Sequence, residues 1–267
     1  MEGSIKDALR EELNTLVRAL MTKMKLDMEL NRPIPAPYLR KGKSMHRIEA
    51  LPESERLLVE SPVYQGQTRV VETGPELEPA VGPGQSLPDV RAALGDCQRC
   101  TLCGTRTNLV FGEGDDHARL VFVGEAPGAD EDRQGRPFVG KAGQLLTRII
   151  IAMGLQREEV YICNILKCRP PGNRNPKPEE IAACEPFLIR QLQVIQPKVI
   201  CALGTFAAHT LLGKTDIPIT LLRGRFHSYQ GIPLMPTYHP AYLLRNAGAK
   251  KQVWEDVQKI MQMLRGC

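Results

Sequence analysis

Cysteine is the residue type whose spacing most directly indicates chemistry in this sequence. Cys97 and Cys100 form a CxxC pair that Cys103 follows closely, and Cys168 and Cys184 form a second pair. Two pairs of thiolates are a ligand set for zinc or for an iron–sulfur cluster, whereas the alternative is that Cys168 and Cys184 are unligated. The spacing predicts a four-cysteine metal site and leaves the identity of the metal open.

Three polar side chains form a second group with chemical potential. Glu125, Asn164 and His239 each lie at or just beyond the end of a short apolar segment. In a parallel sheet such positions meet at the carboxyl edge of the strands, where α/β proteins bind ligands. Taken alone, Asn164 is better explained as a turn residue at a strand end, and a lone histidine such as His239 is more often structural.

The segments that must position these residues alternate between two patterns. Short apolar runs, partly β-branched or aromatic, predict four strands, at Leu120–Val123, Val160–Ile162, Val199–Leu203 and Leu234–Tyr238. Helical patterns lie between or after them, at Gly143–Met153, Pro178–Ile195, Thr205–Leu212 and Gln252–Leu264. This alternation predicts the fold class α/β, as a three-layer sandwich with a central, mostly parallel four-stranded sheet.

Three segments of this region resemble the family 4 uracil-DNA glycosylases. They are GEAPG at 124–128 with its continuation over 131–143, CNILKCRPPGNR at 163–174, and HPAYLLR at 239–245. All three occur in the family's order, and the resemblance covers roughly residues 91–267. It implies a uracil-DNA glycosylase-like fold and a DNA-repair hydrolase. Such an enzyme flips uracil out of DNA and cuts its N-glycosidic bond, leaving an abasic site and initiating base excision repair.

The resemblance also bears on the metal. It implies a [4Fe–4S] cluster held by Cys97, Cys100, Cys168 and Cys184, and so favours iron–sulfur over zinc. The implied role of the cluster is structural or DNA-positioning rather than hydrolytic. Cys103 is the one residue that could take the place of Cys100 in this ligand set.

The reaction expels a uracil anion from a sugar with oxocarbenium character, which gives the strand-end residues expected roles. Phe138 is expected to stack on the flipped base. Asn164 is expected to accept a hydrogen bond from uracil N3–H and to donate one to O4, a pattern that cytosine reverses. His239 is expected to donate a hydrogen bond to O2 as negative charge develops there.

The group that positions the water is the least determined part of the expected site. In the family 1 glycosylases an aspartate occupies the place that Ala126 takes here, so Ala126 is expected to line the substrate site without a carboxylate. Glu125 is the nearest candidate catalytic residue, and Asp130, Glu131 and Asp132 follow along the same loop. The alternative is a dissociative reaction that needs little base assistance.

The last motif is expected to contact DNA. By resemblance its loop enters the minor groove, with Leu243 or Leu244 as an apolar wedge and Arg245 meeting phosphate or sugar. Some relatives carry an extra Arg-rich loop ending in a histidine that traps the sugar covalently. Here Pro170–Pro176 runs to the next helix without a histidine. We therefore expect turnover to an abasic site without a covalent adduct.

The first third of the chain has a different character. Residues 1–30 predict an amphipathic helix that docks on its own protein or binds a protein partner, and the Pro/Gly/Glu-rich residues 31–89 predict a linker. Residues 90–267 are expected to form the glycosylase domain. Lys and Arg number 12 against 14 Asp and Glu over residues 1–90, but 23 against 16 over the rest. The positive surplus therefore lies where DNA would bind.

The remaining expectations concern partners, location and rival functions. No stretch approaches the roughly 18 apolar residues of a membrane span, so we expect a cytoplasmic protein that needs no membrane. We also expect a monomer that acts on uracil-containing DNA, single- or double-stranded. One alternative is a non-enzymatic metal- or cluster-bearing DNA-binding module, which leaves the strand-end residues unexplained. Another is a nucleotide-binding hydrolase that uses Gly124–Gly128 as a phosphate loop, but the segment lacks the GxxxxGK[ST] and GxGxxG spacings.

Overall fold

The computed structural model describes residues 86–213 and 216–266. The predicted N-terminal helix and the predicted linker up to residue 85 lie outside the described residues. The first described helix, α1 (Leu87–Leu94), begins within the last residues of the predicted linker range. Its start is set by a capping box, in which the Ser86 amide donates to the Asp89 carboxylate at 2.8 Å and the Asp89 amide donates to the Ser86 hydroxyl at 3.4 Å.

The described strands form one six-stranded sheet. They are β1 (Glu113–Gly114), β2 (Leu120–Gly124), β3 (Tyr161–Asn164), β4 (Val199–Leu203), β5 (His227–Tyr229) and β6 (Ile232–Thr237), in the order β1-β3-β2-β4-β6-β5. The inner strands β3, β2, β4 and β6 are parallel and are the four predicted strands. The edge strands β1 and β5 pair antiparallel. The predicted count of four was too low, because strands of two and three half-exposed residues carry no apolar periodicity.

Helices cover both faces of this sheet, which confirms the three-layer α/β sandwich. Beyond α1 they are α2 (Ala129–Gln134), α3 (Lys141–Ala152), α4 (Pro178–Ile195), α5 (Thr205–Leu212), α6 (Ile219–Leu222), α7 (Pro240–Arg245) and α8 (Lys250–Arg265). Side chains of β2 alternate between two cores: Val121 and Val123 pack with α1, α4 and α5, whereas Leu120 and Phe122 pack with α3 and α8. Within the described residues, no helix combines the length and apolar character needed to span a membrane.

The parallel register brings the ends of the inner strands to one edge. Gly124 at the end of β2 pairs with Asn164 at the end of β3, and Leu203 of β4 pairs with Thr237 of β6. His239 follows β6 by two residues. The three loops that carry the candidate residues therefore leave the same edge of the sheet.

Candidate active site and four-cysteine site

A cavity of about 420 Å³ opens at the carboxyl edge of the inner strands. Its walls come from the segments after β2, β3 and β6, and they include the predicted residues Glu125, Ala126, Phe138, Asn164 and His239. This volume lies in the range of small-molecule pockets. The structure therefore brings the residues selected from the sequence around one cavity.

Asn164 is the most exceptional polar residue of this cavity. Its side chain is 1% exposed, yet neither Oδ1 nor Nδ2 has a hydrogen-bond partner among the described residues. Leaving a buried polar group unpaired costs about 1–3 kcal/mol, so native proteins rarely do so without a reason. A ligand that offers one donor and one acceptor would satisfy both atoms.

Room for this amide depends on the glycine beside it. A Cβ atom at Gly124 would overlap Asn164 Oδ1 and would lie 2.5 Å from Phe138 Cζ. Any larger residue at the end of β2 would therefore displace both side chains. The glycine of the GEAPG motif is explained here by close packing, since its backbone lies in an ordinary strand conformation.

Phe138 reaches the cavity from the loop between α2 and α3. Its ring is 6% exposed and its centroid lies 5.6 Å from that of His239, with the two planes 33° apart. Its φ of 51° is in the left-handed region, which is costly for a phenylalanine. A Cβ at Gly143 in α3 would overlap the Phe138 carbonyl, so the loop packs closely on that helix.

His239 is held in a defined tautomer at the start of α7. Its Nδ1 accepts a hydrogen bond of 3.1 Å from the Ala241 amide. Burial lowers the pKa of His239 to about 4, with Arg245 adding to this effect and Glu131 opposing it. The imidazole is therefore neutral at pH 7, and its single proton is assigned to Nε2 because Nδ1 acts as an acceptor.

Glu125 differs from the acidic residues that follow it along the loop. Burial raises the pKa of Glu125, and its carboxylate has no hydrogen-bond partner within the part of the chain described. Asp130 is instead paired with Arg133 at 2.6 Å. The Glu131 carboxylate accepts hydrogen bonds from three backbone amides at 2.8–3.1 Å, and that of Asp132 from two others.

These hydrogen bonds fix the carboxylates of Glu131 and Asp132 to the backbone, which is a structural role. Glu131 lines the cavity but is fixed by its amides, whereas Asp132 is 3% exposed and does not line it. Of the four acidic residues predicted as candidates, only Glu125 both lines the cavity and has a carboxylate without a partner among the described residues.

The residues expected to contact DNA divide by exposure. Tyr242 is 39% and Leu244 is 47% exposed, and Arg245 lines the cavity. Leu243 is 2% exposed and packs in the core with α3 and α8. The helical turn therefore directs Leu243 inward and Leu244 outward, which favours Leu244 of the two predicted wedge residues.

The four predicted ligand cysteines surround a second, smaller cavity. Cys97, Cys100, Cys168 and Cys184 all line it, and Cys103 does not. Cys168 and Cys184 are buried, whereas the CxxC pair is partly exposed. No three potential ligands among the described residues are placed to share a single metal ion. The four cysteines instead line one common cavity.

Hydrogen-bond donors point at three of these sulfur atoms. The Lys167 amide lies 3.2 Å from Cys184 Sγ, Arg106 Nη1 lies 3.4 Å from Cys168 Sγ, and Arg99 Nη1 lies 3.4 Å from Cys97 Sγ. Burial raises the pKa of Cys184 to about 11 and also raises that of Cys168. Buried thiolates therefore need positive charge beside them, which a bound metal supplies, so this donor set fits a thiolate-ligated cluster.

Lys167 connects the two sites and was not selected from the sequence. Its side chain is fully buried, and Nζ donates to the Asn164 carbonyl at 2.7 Å and to Gln191 Oε1 at 2.6 Å. Burial lowers the pKa of Lys167. The only available signal was its place beside Cys168, because its partners are set by tertiary packing.

Comparison with known proteins agrees with this architecture. The family model described as the uracil DNA glycosylase superfamily matches residues 111–258. A type-4 uracil-DNA glycosylase of Thermotoga maritima is 48% identical over 172 residues, which are 63% of this chain and 90% of that protein. One of Archaeoglobus fulgidus is 42% identical over 186 residues, 67% of this chain and 94% of that protein. The chain therefore belongs to the uracil-DNA glycosylase superfamily and, within it, to the type-4 family.

Proposed function

We propose that this protein is a uracil-DNA glycosylase that flips uracil out of DNA and hydrolyses its N-glycosidic bond, leaving an abasic site for base excision repair. One observation carries the proposal. The buried amide of Asn164 has no partner among the described residues and lines a cavity of base-binding size. Membership of the type-4 family supports the same activity.

The base is recognised by its edge and its face. Asn164 Oδ1 accepts from uracil N3–H, and Nδ2 donates to O4, so that both unpaired atoms gain partners. Cytosine presents an acceptor at N3 and an amino group at C4, which would leave the buried amide mismatched. Phe138 stacks on the extruded ring, and Ala126 lines the same cavity.

The departing base is stabilised by a neutral histidine. With Nδ1 occupied by the Ala241 amide, Nε2–H of His239 is the donor available to uracil O2. Negative charge grows on O2 as the glycosidic bond breaks, so this hydrogen bond strengthens towards the transition state. Because the pKa of His239 is lowered to about 4, the ring stabilises the anion without protonating it at neutral pH.

Glu125 is our candidate for positioning the attacking water. It is the cavity carboxylate that has no partner among the described groups, and its raised pKa reflects burial rather than a competing ion pair. Its task is to orient water towards the anomeric carbon once the sugar has gained oxocarbenium character. With no histidine between Pro170 and Pro176, we propose that the sugar leaves as an abasic site without a covalent adduct.

DNA is held at the rim of the cavity. Leu244 is the exposed apolar side chain suited to fill the vacated base stack, and Arg245 meets the backbone. Both single- and double-stranded uracil-containing DNA are proposed substrates. We place the activity in the cytoplasm, since free cysteines suit a reducing compartment.

The four-cysteine cavity is proposed to hold a [4Fe–4S] cluster. Cys97, Cys100, Cys168 and Cys184 would be its ligands, and Cys103 is left outside the cavity. When bound, the cluster would cross-link the segment after α1 to α4 and to the loop after β3, without taking part in hydrolysis. The three donors to sulfur would orient the thiolates.

Uracil release from a single-stranded oligonucleotide with one deoxyuridine tests the function. The protein should release uracil, whereas Asn164→Ala should be at least about 100-fold slower, because the main base-edge contact is lost. Asn175→Ala is the matched control, since Asn175 is exposed and lies outside the cavity lining. DNA binding without release by the unmodified protein would favour the non-enzymatic DNA-binding module instead.

A further inference from the structure

Arg157 supports the cavity without lining it. The residue belongs to a short 3-10 turn, Arg157–Glu159, just before β3, and its side chain is 12% exposed. One nitrogen of its guanidinium donates to the Phe138 carbonyl at 3.2 Å and lies 3.4 Å from Thr147 Oγ1 in α3. The other terminal nitrogen donates to the Pro137 carbonyl. One side chain therefore binds two consecutive carbonyls of the loop that carries the stacking ring.

The backbone held in this way is one that needs support. Phe138 has a φ of 51°, a conformation that a phenylalanine adopts only where surrounding contacts stabilise it. Its carbonyl packs against Gly143, where a Cβ would overlap it, and accepts a hydrogen bond from Arg157. Rotation of this peptide would move the ring that faces His239 and the Asn164 amide.

A carboxylate fixes the arginine in turn. Glu113 in β1 accepts from Arg157 Nε at 3.1 Å, and it also accepts from Arg136 at 2.6 and 2.9 Å. The two arginines share this partner but differ at their other end. Arg136 is 58% exposed and donates to neither loop carbonyl, whereas Arg157 is nearly buried and donates to both. Replacing Arg136 therefore removes an ion pair with Glu113 but leaves both contacts of Arg157 with the loop carbonyls.

We propose that Arg157 is a positioning residue for base recognition, which acts by fixing the backbone of Phe138 so that its ring stacks on the extruded uracil. This inference rests on the proposed function, because it takes the Phe138 ring as the stacking surface. Arg157 touches neither substrate nor reacting atoms and works entirely through Phe138.

A double-mutant cycle tests this role. The kcat/KM for uracil release from a single-stranded deoxyuridine oligonucleotide and the inhibition constant of free uracil are measured for Arg157→Met, Phe138→Ala and the double variant. Loss of base stacking predicts a roughly 5- to 150-fold fall in kcat/KM for Phe138→Ala. Arg157→Met should fall by about tenfold and should weaken inhibition by uracil. In the Phe138→Ala background, Arg157→Met should change kcat/KM by less than about twofold, since the ring it positions is absent.

Arg136→Met is the control, expected within about twofold of the unmodified protein because the Arg157 contacts persist. Equal losses for Arg157→Met in both backgrounds, or an equal loss for Arg136→Met, would overturn the inference and leave the proposed function standing. If Arg157→Met does not fold, Arg157→Lys is carried through the same cycle with the same two criteria. If the unmodified protein releases no uracil, both proposals fail.

Discussion

The cavity at the carboxyl edge of the strands and the four-cysteine cavity differ in how their polar atoms are hydrogen-bonded. In the first, neither the buried Asn164 amide nor the Glu125 carboxylate has a hydrogen-bond partner among the described residues. In the second, three of four sulfur atoms already accept a hydrogen bond from the protein. A substrate that binds and leaves needs polar groups that are not already hydrogen-bonded. A permanently bound metal cluster needs ligands whose orientation the protein fixes. This contrast agrees with the proposal that the first cavity binds a substrate and the second holds a structural cluster.

Lys167 lines the four-cysteine cavity and hydrogen-bonds the backbone of Asn164, which lines the other cavity. Its amide bonds Cys184 Sγ, while its Nζ bonds the carbonyl of Asn164. Gln191 completes the link by accepting from Nζ and donating to the Phe111 carbonyl and to Tyr161. The backbone of Asn164 is therefore anchored to α4, the helix that carries Cys184.

The comparison is tested most strongly by pairing Asn164→Ala with Cys184→Ala. Asn164→Ala should lower kcat/KM by about 100- to 1000-fold yet leave the unfolding temperature unchanged or higher, since an unpaired buried amide is removed. Cys184→Ala should instead lower the unfolding temperature, because it removes a proposed cluster ligand on α4. Thermal unfolding followed by circular dichroism, beside uracil release, measures both. Equal destabilisation by the two variants would break the contrast.

His239→Asn should lower kcat by about 100-fold, the scale seen when one transition-state hydrogen-bond donor is removed. It also has a signature in stability. The pKa of His239 is lowered from 6.5 to about 4 on folding, so the unfolded chain binds a proton first as pH falls. Stability contributed by the neutral ring is full above pH 6.5 and is lost between 6.5 and about 4.

Urea unfolding at pH 7 and at pH 4.5 checks this assignment. The free energy of unfolding should fall less over this interval for His239→Asn than for the unmodified protein. An equal fall in the free energy of unfolding in both proteins would show that His239 is protonated as readily in the folded state as in the unfolded one. The proposed neutral donor would then be wrong.

The ligand set is sharpened by comparing Cys100→Ser with Cys103→Ser. Of these two cysteines, only Cys100 lines the four-cysteine cavity. Cys100→Ser should therefore lose most of the bound iron and the visible absorbance of the purified protein. Cys103→Ser should retain both. Iron analysis and absorbance spectra measure the outcome without reference to catalysis. If Cys103→Ser lost iron and Cys100→Ser kept it, Cys103 would replace Cys100 in the proposed ligand set.

The smallest expected effect on activity is that of Leu244→Ala. Its exposed side chain should matter for duplex DNA, where the vacated stack must be filled, with about a tenfold loss, and little for single strands. Leu243→Ala should behave differently, because removing a buried leucine typically costs about 2–5 kcal/mol of stability. Uracil release from both substrates, with urea unfolding, separates the two. A duplex-specific loss for Leu243→Ala would reverse the assignment.

Much of the fold followed from local patterns in the sequence. Helices Pro178–Ile195 and Thr205–Leu212 have the predicted bounds, since Pro178 begins one at its first turn and Gly213 ends the other in the left-handed conformation. The four inner strands were recognised because strands buried on both faces are continuous apolar runs. The edge strands were missed, since Glu113–Gly114 and His227–Tyr229 have no such run.

The site was predictable where chain order and strand ends define it. Glu125, Asn164 and His239 could be grouped because parallel strands end at one edge of a sheet. Arg157 and Lys167 could not, because their roles depend on carbonyls of Phe138 and Asn164 that only tertiary packing brings within reach. Leu243 and Leu244 are both apolar and adjacent, so the sequence left open which one faces solvent.

We propose above that the buried amide of Asn164 hydrogen-bonds the edge of an extruded uracil. An NMR titration of the Asn164 side-chain amide with free uracil, assigned by its loss in Asn164→Ala, tests it most directly. We predict that its Nδ2–H resonances shift with uracil and that cytosine at equal concentration leaves them in place. Unchanged resonances at saturating uracil, or equal shifts with cytosine, would contradict the account.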